Sequence, residues 1–181
     1  SLAAEMALSR GGDQAVIKNR FNFEFFGGRG NEVETRTKVK SRVMANALAE
    51  LIADSSRVFV MGHKFADLDA VGSAVAVCCI ARKKGRLCRI VIDPVKNSSH
   101  LLIERMKNEP EYRNAFITPQ DAMLQADGRS LLVVVDTNRP DQVESIELLE
   151  SLSRTAIIDH HRRAADFIEQ VVLNLHEPFA S

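Results

Sequence analysis

The sequence has no excess of either charge, since 24 Lys and Arg balance 24 Asp and Glu over 181 residues. That argues against a large nucleic acid or a membrane held by bulk charge, although a local basic patch stays open, so recognition has to come from a site. Cysteine is scarce. Cys78, Cys79 and Cys88 are odd in number and lack Cys-x-x-Cys spacing, which speaks against a disulfide framework or a structural zinc site and fits a reducing, cytoplasmic setting. Long apolar runs are missing too: the longest, Ala70 to Ala81, is broken by Gly72 and Ser73 and is too short for the roughly 20 residues a membrane span needs. No direct membrane contact is expected. There is no initiator Met at Ser1 and no signal peptide, so a fragment cut from a longer protein is the expectation. What is present is a composition 45% hydrophobic and 27% charged, which buries a sizeable core and excludes disorder as the main reading.

Residues 1–38 read apart from the rest. They hold the turn-like Arg10-Gly11-Gly12-Asp13, the segment Gln14 to Lys18, and Phe21, Phe23 and Phe25 on alternate positions, the mark of a strand with one buried face. Gly27, Gly28 and Gly30 end that strand, and the charged tract Glu32 to Lys40 reads as a linker. Two strands and a helix turn make no core alone, so this piece is expected to be a partial α+β tail of a preceding domain.

From Val39, the positions Val43, Ala47, Leu48, Leu51 and Ile52 recur at helical spacing. Short aliphatic runs then alternate with helical ones: strands at 58–61, 87–92, 131–135 and 155–158, helices at 69–84, 98–107 and 144–152. Strands of that kind separated by helices predict an α/β fold, a parallel sheet with helices on both faces, over 39–181.

Three of those strands run directly into acidic or imidazole groups: Met61 into Gly62-His63-Lys64-Phe65-Ala66-Asp67-Leu68-Asp69, Val135 into Asp136-Thr137-Asn138, and Ile158 into Asp159-His160-His161. The carboxyl ends of parallel strands share one edge, where such folds bind ligands. The topology therefore gathers His63, Asp67, Asp69, Asp136, Asp159, His160 and His161 around one crevice. Four carboxylates do not stay charged and close together without cations. A donor set of carboxylate oxygens and imidazoles suits manganese or a similar ion better than calcium or a thiolate-bound zinc. Two ions about 4 Å apart activate a water and stabilise both oxygens of a phosphoryl displacement, and no Ser or Cys in a nucleophile turn competes.

Taken singly, each element has a bland explanation. An Asp after a strand often caps a helix, so Asp69 or Asp136 alone reads as readily as structure, and a lone loop His is more often solvated than ligating. What carries the metal reading is the coincidence of three such clusters at three strand ends. Cys78 and Cys79, inside an apolar helix, read as core.

At these residues the sequence resembles the DHH phosphoesterase family. Gly62-His63-x-x-x-Asp67-x-Asp69-Ala70-x-Gly72-Ser73 resembles its first motif, Val134-Val135-Asp136-Thr137-Asn138-Arg139-Pro140 its second, Asp159-His160-His161-Arg162 its third, and Glu177-Pro178-Phe179-Ala180-Ser181 the start of its fourth, together spanning 57–181. Leu8 to Ala15 and Phe26-Gly27-Gly28 are similar to the end of the degenerate GGDEF domain that precedes the DHH domain in the GdpP/YybT type. That resemblance implies a Rossmann-like DHH domain and a phosphodiesterase converting cyclic-di-AMP, or a related small nucleotide, to linear pApA. It implies two manganese ions, one on His63, Asp67 and Asp136, the other on Asp69, Asp136 and His160. His161, and more weakly Arg162, would lie near the substrate phosphate, and Asp159 would orient an imidazole or cap the next segment.

The family pattern continues past Ser181, with a further aspartate for the second ion and a DHHA1 subdomain that holds the substrate. The 181 residues are therefore expected to have an incomplete second site and little activity alone. Gln14-Ala15 stands where active cyclases have Glu-Phe, so cyclase activity is not expected. Apolar surface left at the cut ends makes a homodimer an available state. Two alternatives stay open: a DHH enzyme for short oligoribonucleotides or 3',5'-bisphosphorylated nucleosides, and a nucleotide sensor without catalysis.

Overall fold

Val58 to Met61, Leu131 to Val135 and Thr155 to Asp159 are nearly all aliphatic, a composition that only a strand covered on both sides can bury. In the computed structural model all of these but Ile158 are buried. The structure describes residues 14–18, 23–27, 38–93, 97–161 and 166–176. They fall into two compact units, 1–47 and 48–181. In the first, β1 (Gln14–Lys18) pairs antiparallel with β2 (Phe23–Gly27), Val16 opposite Phe25. Helix α1 (Lys38–Asp54) follows, with residues 38–47 counted in the first unit and 48–54 in the second; it takes in Lys38 to Lys40, which the charge run assigns to the linker. Its buried residues Leu48 and Ile52 are one turn apart.

The second unit is built on six parallel strands: β3 (Val58–Met61), β4 (Cys88–Val91), β5 (Phe116–Ile117), β6 (Leu131–Val135), β7 (Thr155–Asp159) and β8 (Leu173–His176), in spatial order β5-β4-β3-β6-β7-β8. The chain moves outward from β3 to β5, then returns to β6 on the other side of β3 and continues outward to β8. With right-handed crossovers, that reversal puts the helices between β3 and β5 on one face and those between β5 and β7 on the other. The core follows this division. Ala70 and Val71 of α2 (Leu68–Lys83) cluster with Ile103 of α3 (His100–Lys107). Phe59, Met61, Leu132, Val134 and Ile157 cluster with Ala122 of α4 (Pro119–Gln125) and Leu148 of α5 (Ile146–Ser151). The large side chains among them, such as Phe59 and Ile103, each contribute about 1.5–3 kcal/mol by leaving water.

The expected strands and helices all occur, with shifted ends. Helix α2 starts at Leu68 because Asp67 caps it, accepting from the amides of Asp69 and Ala70 at 3.0 and 3.1 Å. Helix α5 starts at Ile146 because the Ser145 hydroxyl accepts from the Leu148 amide at 3.1 Å. Sequence periodicity misses three elements: the two-residue β5, the seven-residue α4 behind its Thr118 cap and Pro119, and the edge strand β8, too short or too half-buried to show a period. Cys79 is a correction to the core reading. Cys78 is buried, but Cys79 is half-buried and lies 3.5 Å from both the Tyr112 hydroxyl and the Arg82 guanidinium. Among the described residues, no helix is long and apolar enough to cross a membrane.

Candidate metal centre

The reversal of strand order lies between β3 and β6, and the chain leaves both strands there through chemically loaded turns. After β3, Gly62 has no room for a side chain: a Cβ would sit 2.9 Å from the Cβ of Ala70. The start of α2 can therefore close onto the strand. The following loop is pinned to residues 142–144, with Glu144 N donating to Gly62 O at 3.0 Å and Lys64 N to Gln142 O at 2.7 Å. Phe65 within it has φ +61 and is 67% exposed. After β6, Asp136 takes φ +60, a left-handed conformation that aspartate tolerates better than most residues, with its amide held by Ile158 O at 2.9 Å.

These turns bring together most of the expected residues. His63 Nδ1 donates to Lys64 O at 2.7 Å; a carbonyl only accepts, so the lone pair is left on Nε2, which stands 3.7 Å from Asp67 Oδ1 and 3.6 Å from Asp136 Oδ2. On the other side, His160 Nε2 lies 3.1 Å from Asp136 Oδ1. Two groups of ligand atoms result, His63 with Asp67 and Asp136, and Asp136 with His160 and His161, each within 4.8 Å internally. Asp136 is common to both, and its two oxygens face different groups. It is 7% exposed. Burial, and then the nearby Asp67 carboxylate, push its pKa up against the opposing pull of His161, His63 and His160. Asp67 feels burial as well, but the Ala70 amide and His63 outweigh it and hold the carboxyl below its ordinary value.

His161 is tied differently. Its Nδ1 donates to Asp159 Oδ1 at 2.9 Å, and the same nitrogen is 3.7 Å from Asp136 Oδ1. Asp159, 4% exposed, accepts on Oδ1 from the His161 amide at 3.2 Å too, and on Oδ2 from Asn138 Nδ2. The Asp159 hydrogen bond is the main cause of a raised His161 pKa, with burial opposing it. The two imidazoles meet edge to face, 4.4 Å between centroids.

Asp69 is not drawn into either group. It is exposed in the first turn of α2, beyond the Asp67 cap. Arg162, Gly11-Gly12-Asp13 and the segment Glu177 to Ser181 lie outside the described residues. Two contributors escape sequence reasoning. Asn138 holds Asp159 across 21 positions, and His176, opposite Asp159 on β8, donates Nε2 to His161 O at 2.7 Å. Asn138 stands in the second motif, but no spacing rule links it to a carboxylate at the end of the next strand; His176 ends a strand with no legible signal.

Residues 57–181 match the model of the DHH family, N-terminal domain. The chain is 44% identical to the cyclic-di-AMP phosphodiesterase PdeA of Listeria monocytogenes and 41% identical to the cyclic-di-AMP phosphodiesterase GdpP of Bacillus subtilis, in each case over 98% of this chain and 27% of the relative. It thus spans about a quarter of the length of those relatives. Among solved structures, an exopolyphosphatase-related protein from Bacteroides fragilis superposes with a TM-score of 0.59 at 17% identity, covering 78% of this chain and 41% of that one, a likeness of fold.

Proposed function

This chain belongs to the DHH family, and we propose that the cluster centred on Asp136 is a two-cation centre for phosphodiester hydrolysis, with cyclic-di-AMP as substrate and pApA as product. The observation that carries this reading is the division of Asp136, with Oδ2 toward His63 and Oδ1 toward His160. A buried carboxylate facing two sets of nitrogen and oxygen donors has the chemistry of a bridging ligand, and the donor set fits manganese. His63, Asp67 and Asp136 would hold one ion, and Asp136 and His160 the other. The family resemblance offers Asp69 to that second ion, whereas the geometry offers His161.

We favour a different role for His161. The nitrogen it turns toward Asp136 is the one that carries a proton to Asp159, which suits a donor to phosphate oxygen better than a metal ligand. Asp159 keeps that imidazole oriented and favours its protonated form, and Asn138 and His176 brace the pair from behind. When bound, the cations supply a water acidic enough to attack phosphorus near neutral pH and positive charge for the phosphoryl oxygens. The naming of the relatives supports cyclic-di-AMP; the activity belongs to a protein several times longer than this chain.

The test is made in the full-length protein. Asp136→Ala is expected to abolish the manganese-dependent rise in melting temperature and to lower turnover by about a thousand-fold or more, since several kcal/mol of metal-derived stabilisation is lost. Turnover retained in that variant sinks the two-cation reading. Asp69→Ala and His161→Ala separate the two candidates for the second ion: metal affinity falls in the first and turnover alone in the second. Short oligoribonucleotides outcompeting cyclic-di-AMP would overturn the substrate but leave the centre standing.

A further inference from the structure

The centre described above occupies the carboxyl edge of the sheet. At the opposite edge, where β4 begins, lies a cleft of about 210 Å³ whose walls include Arg82, Arg86, Arg89, Glu111, Tyr112 and Asn114. We propose that this cleft is a second anion site, binding the phosphate or diphosphate group of a small ligand.

Three arginines and one glutamate line the cleft, so it carries surplus positive charge. Two of the three are held in place by the protein itself. Arg82 donates to Glu111 O at 3.0 Å and lies over the Tyr112 ring, 4.6 Å from its centroid. Arg86 donates one terminal nitrogen to Ala53 O, but its Nε is buried with no hydrogen-bond partner. The side chain of Arg89, on β4, makes no hydrogen bond or ion pair among the described residues. A tethered guanidinium on the same cleft wall as an arginine side chain without a partner is an arrangement that an oxyanion completes, because each guanidinium fork places paired donors on phosphate oxygens.

The size of the cleft selects within that class. Pockets for drug-sized ligands run to roughly 300–1,000 Å³, so this one holds one or two phosphoryl groups and leaves any attached nucleoside outside. Glu111 sets the limit on charge, since it lies 3.7 Å from Arg82 and takes up part of the positive potential. The cleft takes in the first two residues of β4, Cys88 and Arg89, so Ile90 and Val91 lie between it and the carboxyl end of that strand, and none of the acidic or imidazole residues of the carboxyl edge lines it. The two sites are therefore distinct, and one ligand group does not fill both.

The experiment uses the full-length protein freed of divalent cations and exchanged into chelator-free buffer, which silences the acidic edge. Inorganic pyrophosphate and inorganic phosphate are titrated at matched ionic strength against sodium chloride, following melting temperature and backbone amide shifts. Pyrophosphate is expected to raise the melting temperature with saturation and to move the amides of Arg89 and Tyr112. Arg89→Gln weakens binding by about ten-fold or more, the loss of one charged hydrogen-bonding group, and Arg82→Gln, on the other wall, does the same. Asp136→Asn keeps the response. No saturable response in the unsubstituted protein overturns the proposal, as does a response that survives Arg89→Gln and Arg82→Gln, or one that disappears in Asp136→Asn with shifts at His160.

Discussion

The two edges of the six-stranded sheet carry opposite charge and handle it by opposite means. At the carboxyl edge, Asp67, Asp136 and Asp159 face imidazoles, and Asp136 is buried without any Lys or Arg within ion-pair distance among the described residues. At the amino edge, Arg57 and Arg154 stand immediately before β3 and β7, and Arg86 and Arg129 two residues before β4 and β6. Those arginines are mostly answered by acids in the open. Arg154 reaches Asp54 at 3.0 Å, Arg129 reaches the same carboxylate at 3.8 Å, and Arg57 stands 4.0 Å from Asp127. Exposed pairs of this kind are worth about 0–1 kcal/mol each. Water does most of the work at the amino edge, and it cannot do so at the carboxyl edge, which is why only the latter calls for cations.

That contrast breaks most easily where the carboxyl edge is packed. Gly62→Val puts branched carbon where even a Cβ would lie 2.9 Å from Ala70, so it is expected to cost about 3 kcal/mol, read as a lower urea midpoint with loss of manganese response. Asn138→Ala removes the donor to the buried Asp159 Oδ2 and is expected to cost about 2 kcal/mol; an unchanged midpoint would show that the carboxylate is solvated after all.

Asp136→Asn should act in the other direction on the metal-free protein. Burial raises the Asp136 pKa above 3.8, so the favourable, protonated form is complete below that value and is lost as pH rises through the folded-state pKa. At neutral pH the asparagine variant is therefore more stable than the metal-free parent, and the gain disappears on acidification in a pH series of thermal melts. The smallest effect belongs to the amino edge. Asp127 is held below its ordinary value chiefly by the Ser56 hydroxyl at 2.6 Å, so its stabilising contribution is present above 3.8 and fades as pH falls through the lower folded value. Ser56→Ala is expected to move the Asp127 carboxyl resonance titration upward and to leave neutral-pH stability almost unchanged.

Much of this comparison is legible in the chain itself. Val58 to Met61 and Leu131 to Val135 announce buried parallel strands by composition, and each is followed at once by the acidic or imidazole residues that the carboxyl edge collects. Asp67 shows where such reading stops: a cap and a ligand look alike in sequence, and this carboxylate is placed to be both. Cys79 shows the same limit from the core side, because its partner Tyr112 is 33 residues away. Asn138 and His176 have no local pattern because their roles exist only across strands.

The sequence by itself determined the period of the strands, the order in which acid and imidazole follow them, and hence which edge of the sheet would need cations. Those are local properties, set by which residues can be buried and which must stay wet. Tertiary structure alone decided that Asp136 turns one oxygen to each of two donor groups, that His161 spends its Nδ1 on Asp159, and that Arg82, Arg86 and Arg89 line one cleft. Distances between side chains far apart in the chain depend on strand order, on the left-handed turn at Asp136 and on the tight approach at Gly62. The packing of the whole domain settles these, and no short stretch of sequence carries them.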